Sequence, residues 1–126
     1  MPFACWAILI AGLLPVCTVA LAKAQRCYDN HDPRTWLERQ QGWRRRADFA
    51  QRNHFEAFPF FAAAVLVALM YKLDGARIDQ LAAVFLAARI AYTVCYLFDW
   101  ALLRSLFWFV GYGCIIALFV MTGGAA

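Results

Sequence analysis

FACWAILIAGLLPVCTVALA, residues 3–22, runs its whole length without an acidic or basic side chain. A helix rising about 1.5 Å per residue crosses a hydrocarbon core of about 30 Å in roughly 20 residues, so this block is long enough to span a bilayer. It lacks the polar face that a helix on the surface of a soluble domain would show. The solvent it suits is lipid. Gly12 and Pro15 fall inside it, and Pro15 removes a backbone donor, which predicts a kink unless a neighbouring helix repairs the loss.

Outward from there, residues 105–126 are equally free of charge, while 57–71 and 80–98 are two further apolar blocks, the second carrying one arginine. These two suit a membrane only if neighbouring helices cover their polar sides. Together the blocks predict helices at about 3–23, 43–71, 76–100 and 104–122 in one membrane domain covering 1–126. The fold class is an all-α integral membrane protein, a four-transmembrane-helix bundle. Whole-chain composition agrees: 64% of residues are apolar and 16% charged, too much hydrocarbon for a water-facing surface. Between the first two spans, Asn30, Asp32 and Pro33 mark a turn, with Asp32 as N-cap and Pro33 as first residue of a short interfacial helix. Gly42 interrupts before the second span, Asp74-Gly75 marks another turn, and a very short link at about 101–103 joins the last two spans.

The net charge of +4 is unevenly spread. Eight of the twelve basic residues (Lys23, Arg26, Arg34, Arg39, Arg44, Arg45, Arg46 and Arg52) lie between or at the edges of the first two spans. By the positive-inside rule the loop at 24–42 is cytoplasmic and both termini lie on the opposite side, in an integral multi-pass protein. A nucleic-acid partner does not suit so lipophilic a chain. Ala20-Leu21-Ala22 has the small residues of a signal-peptide cleavage site, but nothing basic precedes the apolar run and the basic residues follow it, the reverse of the usual order. Five cysteines, odd in number and mostly within apolar blocks, read as small hydrophobes, and no Cys-x-x-Cys pair supports thiol redox exchange. Cys27, Asp29, His31 and Asp32 match no familiar metal spacing, so no metal is expected.

The informative residues are polar ones at membrane depth, because an ionisable side chain in a span requires a partner or a wet cavity. Arg52, Asn53 and Glu56 fall three and four apart and share a helix face, either as an interfacial ion pair or as part of a ligand site. Arg89, Tyr92, Tyr96 and Asp99 recur at helical spacing as one polar stripe, facing a bundle interior or subunit boundary, unless Arg89 only pairs with Glu56 to lock two helices. Arg104-Ser105 opens the last span, where an arginine sits against the helix dipole; it either holds something negative or snorkels to the headgroups. Guanidinium groups match carboxylates, Glu56 an ammonium, and the phenols and amide match peptide groups or a sulfur. This set suits an anionic, zwitterionic, peptide-like ligand. His54 reads as an interface histidine, and Phe107, Trp108, Phe109 and Tyr112 with Gly111 and Gly113 read as packing.

RNHFEAFPFF at 52–61, ARIAYTVCYL at 88–97 and RSLFWFVGYG at 104–113, in that order on a four-span chain, resemble the MAPEG superfamily, the membrane-associated proteins in eicosanoid and glutathione metabolism that include the microsomal glutathione transferases. The YDNHDPR loop at 28–34 is similar to bacterial members, which implies the bacterial inner membrane as the setting. The resemblance implies a homotrimer with sites between subunits and glutathione as co-substrate. It makes Arg52, Asn53, Glu56, Arg89, Tyr92 and Tyr96 glutathione-binding, and gives Arg104 the stabilisation of the glutathione thiolate, with Ser105 beside it as a thiol partner. The implied activity is that of a glutathione transferase or peroxidase acting on lipophilic electrophiles or lipid hydroperoxides. Tyr92 stands where several mammalian members have histidine, the link to Arg104 is one residue shorter than in some of them, and Phe49 occupies a position that is often basic. A non-catalytic lipid- or glutathione-binding protein of the same fold is the alternative. A small four-helix exporter is disfavoured because the first span carries no carboxylate.

Overall fold

A computed structural model describes residues 1–125. Its helices are α1 (Phe3–Lys23), α2 (Pro33–Glu38), α3 (Gly42–Met70), α4 (Gly75–Leu97) and α5 (Ala101–Ala125). All but α2 are long and apolar enough to cross a membrane, and no strand occurs among the described residues. The molecule is an all-α, multi-pass membrane protein.

Its core follows a seam of small side chains. Buried positions recur every three or four residues, at Ala4, Ala7, Ala11, Pro15, Thr18 and Ala22 along α1 and at Ala47, Ala50, His54, Ala57, Phe61, Ala64 and Ala68 along α3. A mean spacing of about 3.5 residues keeps one face of each helix against its neighbour, and alanine lets the backbones approach closely. Accordingly α1 packs mainly on α3, and α5 mainly on α4. A Cβ at Gly12 would stand 3.2 Å from the Phe58 ring, so only glycine fits there without moving the ring. Phe61 stacks on Phe85 with centroids 3.9 Å apart and joins α3 to α4. Large apolar side chains such as Trp6, Leu13, Phe60 and Leu66 point outward, where the solvent is lipid.

Helix ends account for the departures from the expected boundaries. α4 stops at Leu97 instead of Trp100: Asp99 takes a left-handed φ of 62°, its N–H donates to Tyr96 O (3.2 Å), and Trp100 N–H donates to Cys95 O (2.8 Å). That pair of bonds satisfies the last carbonyls of α4, and aspartate tolerates the left-handed conformation better than most residues. Arg104 N–H then bonds Trp100 O, so α5 starts at Ala101 instead of Arg104 and the link is Phe98 to Trp100. Asp99 consequently leaves the stripe expected to continue from Arg89 through Tyr96, and lies exposed beyond the helix. Lys72 (φ 55°) ends α3 in the same way, with Leu73 N–H on Ala68 O at 3.0 Å. Asp74 then caps α4 through Ala76 N–H.

Two polar contacts tie distant segments. Ala4 N–H in the first turn of α1, one of the donors a helix start leaves without an internal partner, donates to Asp79 Oδ1 on α4 at 2.8 Å. Beyond the other end of α1, Asp32 caps the short α2 through Thr35 N–H, and Leu37 packs with Val19, Ala22 and Ala47. Arg46 on α3 donates to Leu97 O from both Nε and Nη2 (3.3 and 3.0 Å), satisfying a terminal carbonyl of α4.

Candidate functional site

On α4, Arg89, Tyr92 and Tyr96 project toward the ground between α3 and α5. Arg89 is 1% exposed and Tyr92 4%, whereas Tyr96 is half-buried. Tyr92 and Tyr96 meet edge to face, centroids 5.5 Å apart. From α5, the Arg104 guanidinium lies over the Tyr96 ring at 4.6 Å from its centroid. Trp108, one turn further along α5, stacks obliquely on Tyr112 at 4.5 Å. Between these groups opens a recess of about 370 Å³ lined by Asn53, Tyr92, Tyr96, Arg104, Ser105, Trp108 and Phe109. Five of the residues expected from the sequence, Asn53, Tyr92, Tyr96, Arg104 and Ser105, therefore face one space.

Behind the recess runs a hydrogen-bonded cluster on the α3–α4 contact. Arg89 Nη2 donates to Asn53 Oδ1 (2.9 Å), and Arg89 Nε and Nη2 reach His54 Nδ1 (3.2 and 2.8 Å). His54 Nε2 stands 2.8 Å from the Thr93 hydroxyl, which donates to the carbonyl of Arg89 itself (3.0 Å). Asn53 Nδ2 donates to Glu56 Oε2 (3.1 Å). The Arg89 guanidinium lies over the Tyr92 ring at 4.4 Å, and its Nη1 is buried without a partner. The alternative reading of the stripe, a direct pair of Arg89 with Glu56, does not form; Asn53 stands between them. Glu56 itself is exposed.

Arg52 departs from its expected place beside Asn53 and Glu56. It turns back one helical turn to Asp48 (3.0 Å) and across to Glu38 on α2 (4.0 Å). Asp48 is only 3% exposed and is held from its other side by Arg45 at 3.5 Å. A carboxylate that buried needs cationic partners more than the exposed Glu56 does, and it lies as near to Arg52 along the helix as Glu56. Arg52 thus lines a second pocket, about 500 Å³, together with Lys23, Arg34, Glu38, Asp48 and Gln51, where α1, α2 and α3 meet. Asp48 was the missed residue, and its signal was available: it precedes Arg52 by the same four positions that separate Arg52 from Glu56. Trp108 and Phe109, read from the sequence as packing, line the recess. The His54–Thr93 contact had no sequence signal.

Electrostatically the recess is cationic. Among the described residues no ion pair reaches Arg104, and its neighbour is a phenol ring, whose face attracts a cation without neutralising it. Arg45 lies over Phe49, which in turn faces Tyr96 at 6.5 Å, so a second guanidinium stands behind the aromatic wall. No metal-ligating cluster of histidine, cysteine, aspartate or glutamate occurs among the described residues.

Fold and site together define a four-span helical membrane protein with an arginine-bearing aromatic recess near one end of the bundle. The chain matches the model of the MAPEG family over residues 3–124, nearly its whole length, and it belongs to that family. Comparison with curated proteins and with solved structures returned no match. Family membership supports a membrane function related in general to glutathione or to eicosanoid metabolism.

Proposed function

We propose that the recess binds glutathione and that the protein is a glutathione-dependent transferase or peroxidase acting on lipophilic electrophiles. The observation that carries this reading is the Arg104 guanidinium, half-buried, without an ion pair among the described residues and shared between Tyr96 and a space that also holds Ser105 and Asn53. A thiol with an ordinary pKa of about 8.5 is mostly protonated at neutral pH, and a guanidinium beside the sulfur favours the thiolate. The Ser105 hydroxyl can donate to the same sulfur. Asn53, Tyr92 and Tyr96 supply donors for the peptide portion, while Trp108 and Phe109 offer an apolar wall to a substrate arriving from the bilayer.

With an aromatic halide, the thiolate adds to the halide-bearing carbon, a C–S bond forms, and the halide leaves with the electron pair of the broken bond. With a lipid hydroperoxide, sulfur attacks the terminal oxygen and the O–O bond breaks; the lipid leaves as an alkoxide that takes up the proton released when the thiolate formed, and a second glutathione converts the sulfenic acid to disulfide and water. Arg104 stabilises the anionic sulfur that begins both routes.

The working unit in this proposal is a homotrimer, as the family resemblance implies, with the loop of residues 24–42 cytoplasmic. Arg52 faces away from the recess of its own chain, so it joins a ligand only across a subunit boundary. Glu56, tethered to Asn53, is the carboxylate available to the ligand's ammonium group. Purified protein should conjugate glutathione to a generic aromatic halide or reduce a lipid hydroperoxide, and Arg104→Ala should remove most of that rate. An unchanged rate in the variant would sink the assignment.

A second reading, ligand retention without turnover, is favoured by Phe49, an uncharged ring facing Tyr96 where the family resemblance puts a basic residue. Under it glutathione or a fatty acid raises the melting temperature by mass action while no product forms.

A further inference from the structure

Arg89 is nearly inaccessible and does not line the recess, yet two groups that do, the Asn53 amide and the Tyr92 ring, lie directly against its guanidinium. Resting on the reading of the recess as a glutathione site, we propose that His54 and Arg89 are a positioning pair. His54, as the neutral Nε2–H tautomer, holds Arg89, and Arg89 sets the orientation of Asn53 and Tyr92 toward the ligand.

The tautomer follows from counting donors. Thr93 has one hydroxyl proton, and it is given to the Arg89 carbonyl at 3.0 Å. The Thr93 oxygen can therefore only accept from His54 Nε2, 2.8 Å away, so that nitrogen carries the imidazole proton. Nδ1 is then a lone-pair acceptor, and two Arg89 donors converge on it at 3.2 and 2.8 Å. An imidazolium would turn an N–H toward the guanidinium and leave those donors without an acceptor. The bonds form a closed circuit from Arg89 through His54 and Thr93 back to the backbone of Arg89, joining α3 to α4.

The consequence for the recess lies in Asn53. Its carbonyl oxygen receives the Arg89 Nη2 proton, which forces the amide nitrogen to the other side, where one N–H donates to Glu56. The remaining N–H is presented as a donor of fixed direction, suited to a carboxylate or carbonyl oxygen of the ligand. A neutral acceptor also leaves the Arg89 charge in place. Were His54 a carboxylate, it would cancel the positive field that Arg89 adds behind the recess.

Two measurements test this. In protein labelled with nitrogen-15 histidine, carrying His31→Gln in the exposed loop so that one imidazole remains, the spectrum at neutral pH should show a neutral ring protonated at Nε2. Protonation at Nδ1, or an imidazolium, overturns the proposal. Calorimetric titration with glutathione should show binding weakened about tenfold in His54→Leu but only about twofold in His54→Gln, whose amide can replace both the acceptor and the donor. In an Asn53→Ala background His54→Leu should cost clearly less than in the wild type, because the part of its effect that passes through Asn53 is already gone and only the part through Tyr92 remains. Unchanged affinity in His54→Leu, or equal loss in both backgrounds, overturns the positioning role. Should His54→Leu not fold, Thr93→Val carries the same comparison, with a loss of about threefold expected and an unchanged affinity counting against the pair. Wild-type protein that ignores glutathione removes the site reading itself; the nitrogen spectrum needs no ligand and keeps that failure distinct from this one.

Discussion

Arg89 and Arg104 are the same side chain in the same bundle, and their surroundings could hardly differ more. Arg89 is sealed between α3 and α4, with donors on Asn53 and His54 and its face on Tyr92. Arg104 lies half-open on α5 with a tyrosine ring beneath it and no carboxylate in reach among the described residues. A guanidinium in a hydrophobic span is expensive wherever it sits. In the first case neutral acceptors within the fold offset that expense and the residue becomes part of the framework. In the second nothing within the described chain does, which is the condition expected of a group kept for an anion from outside. Burial depth alone would have ranked Arg89 the better site residue; the partner inventory reverses the ranking.

The largest effect that would sharpen this contrast is on turnover. Arg104→Ala should lower the rate of glutathione conjugation by about a hundredfold, the usual consequence of removing one group that stabilises developing or resident anionic charge. Its unfolding in graded dodecyl sulfate should match wild type within about 0.5 kcal/mol, and a clear loss of stability would make Arg104 a structural residue like Arg89. Arg89→Ala should do the opposite first, lowering stability by about 2 kcal/mol because the acceptors on His54 and Asn53 are left unpaired in the interior. A stable Arg89→Ala protein would mean that the circuit contributes nothing to helix packing. Asp79→Ala, far from both arginines, should lower stability by about 1 kcal/mol through loss of the carboxylate that caps α1. Circular dichroism during thermal melting would detect it, and an unaltered melt would show that water serves Ala4 equally well. The smallest change is expected for Tyr96→Phe, which keeps the ring under Arg104 and removes one of several donors to the ligand: activity should fall about threefold, and an unchanged rate would take the hydroxyl out of the ligand contacts.

Much of this was legible in the residues themselves. Charge-free blocks announce the outer spans, and the three- and four-residue spacing of Arg89, Tyr92 and Tyr96 announces a shared face. Asp99 could not be read the same way, because its left-handed conformation is set by how the chain closes α4, and spacing carries no information about that. The partner of Arg52 was ambiguous for a symmetrical reason: a helix offers neighbours one turn forward and one turn back, Glu56 and Asp48, and only burial of Asp48 decides between them. The Thr93 hydroxyl that gives His54 its tautomer comes from another helix, as does the carboxylate that caps α1. Contacts of that range have no local signature.

The Asp79 contact reaches back into how the protein is made. The amide of Ala4 belongs to the first of these helices to leave the ribosome, and the carboxylate that receives it belongs to the third long one. Until α4 has been inserted, that donor has no protein partner, so the seating of the first turn of α1 is completed only when most of the polypeptide has been synthesised. A chain ending before Asp79 would still offer α3 for α1 to pack against, but would lack the carboxylate that fixes its first turn.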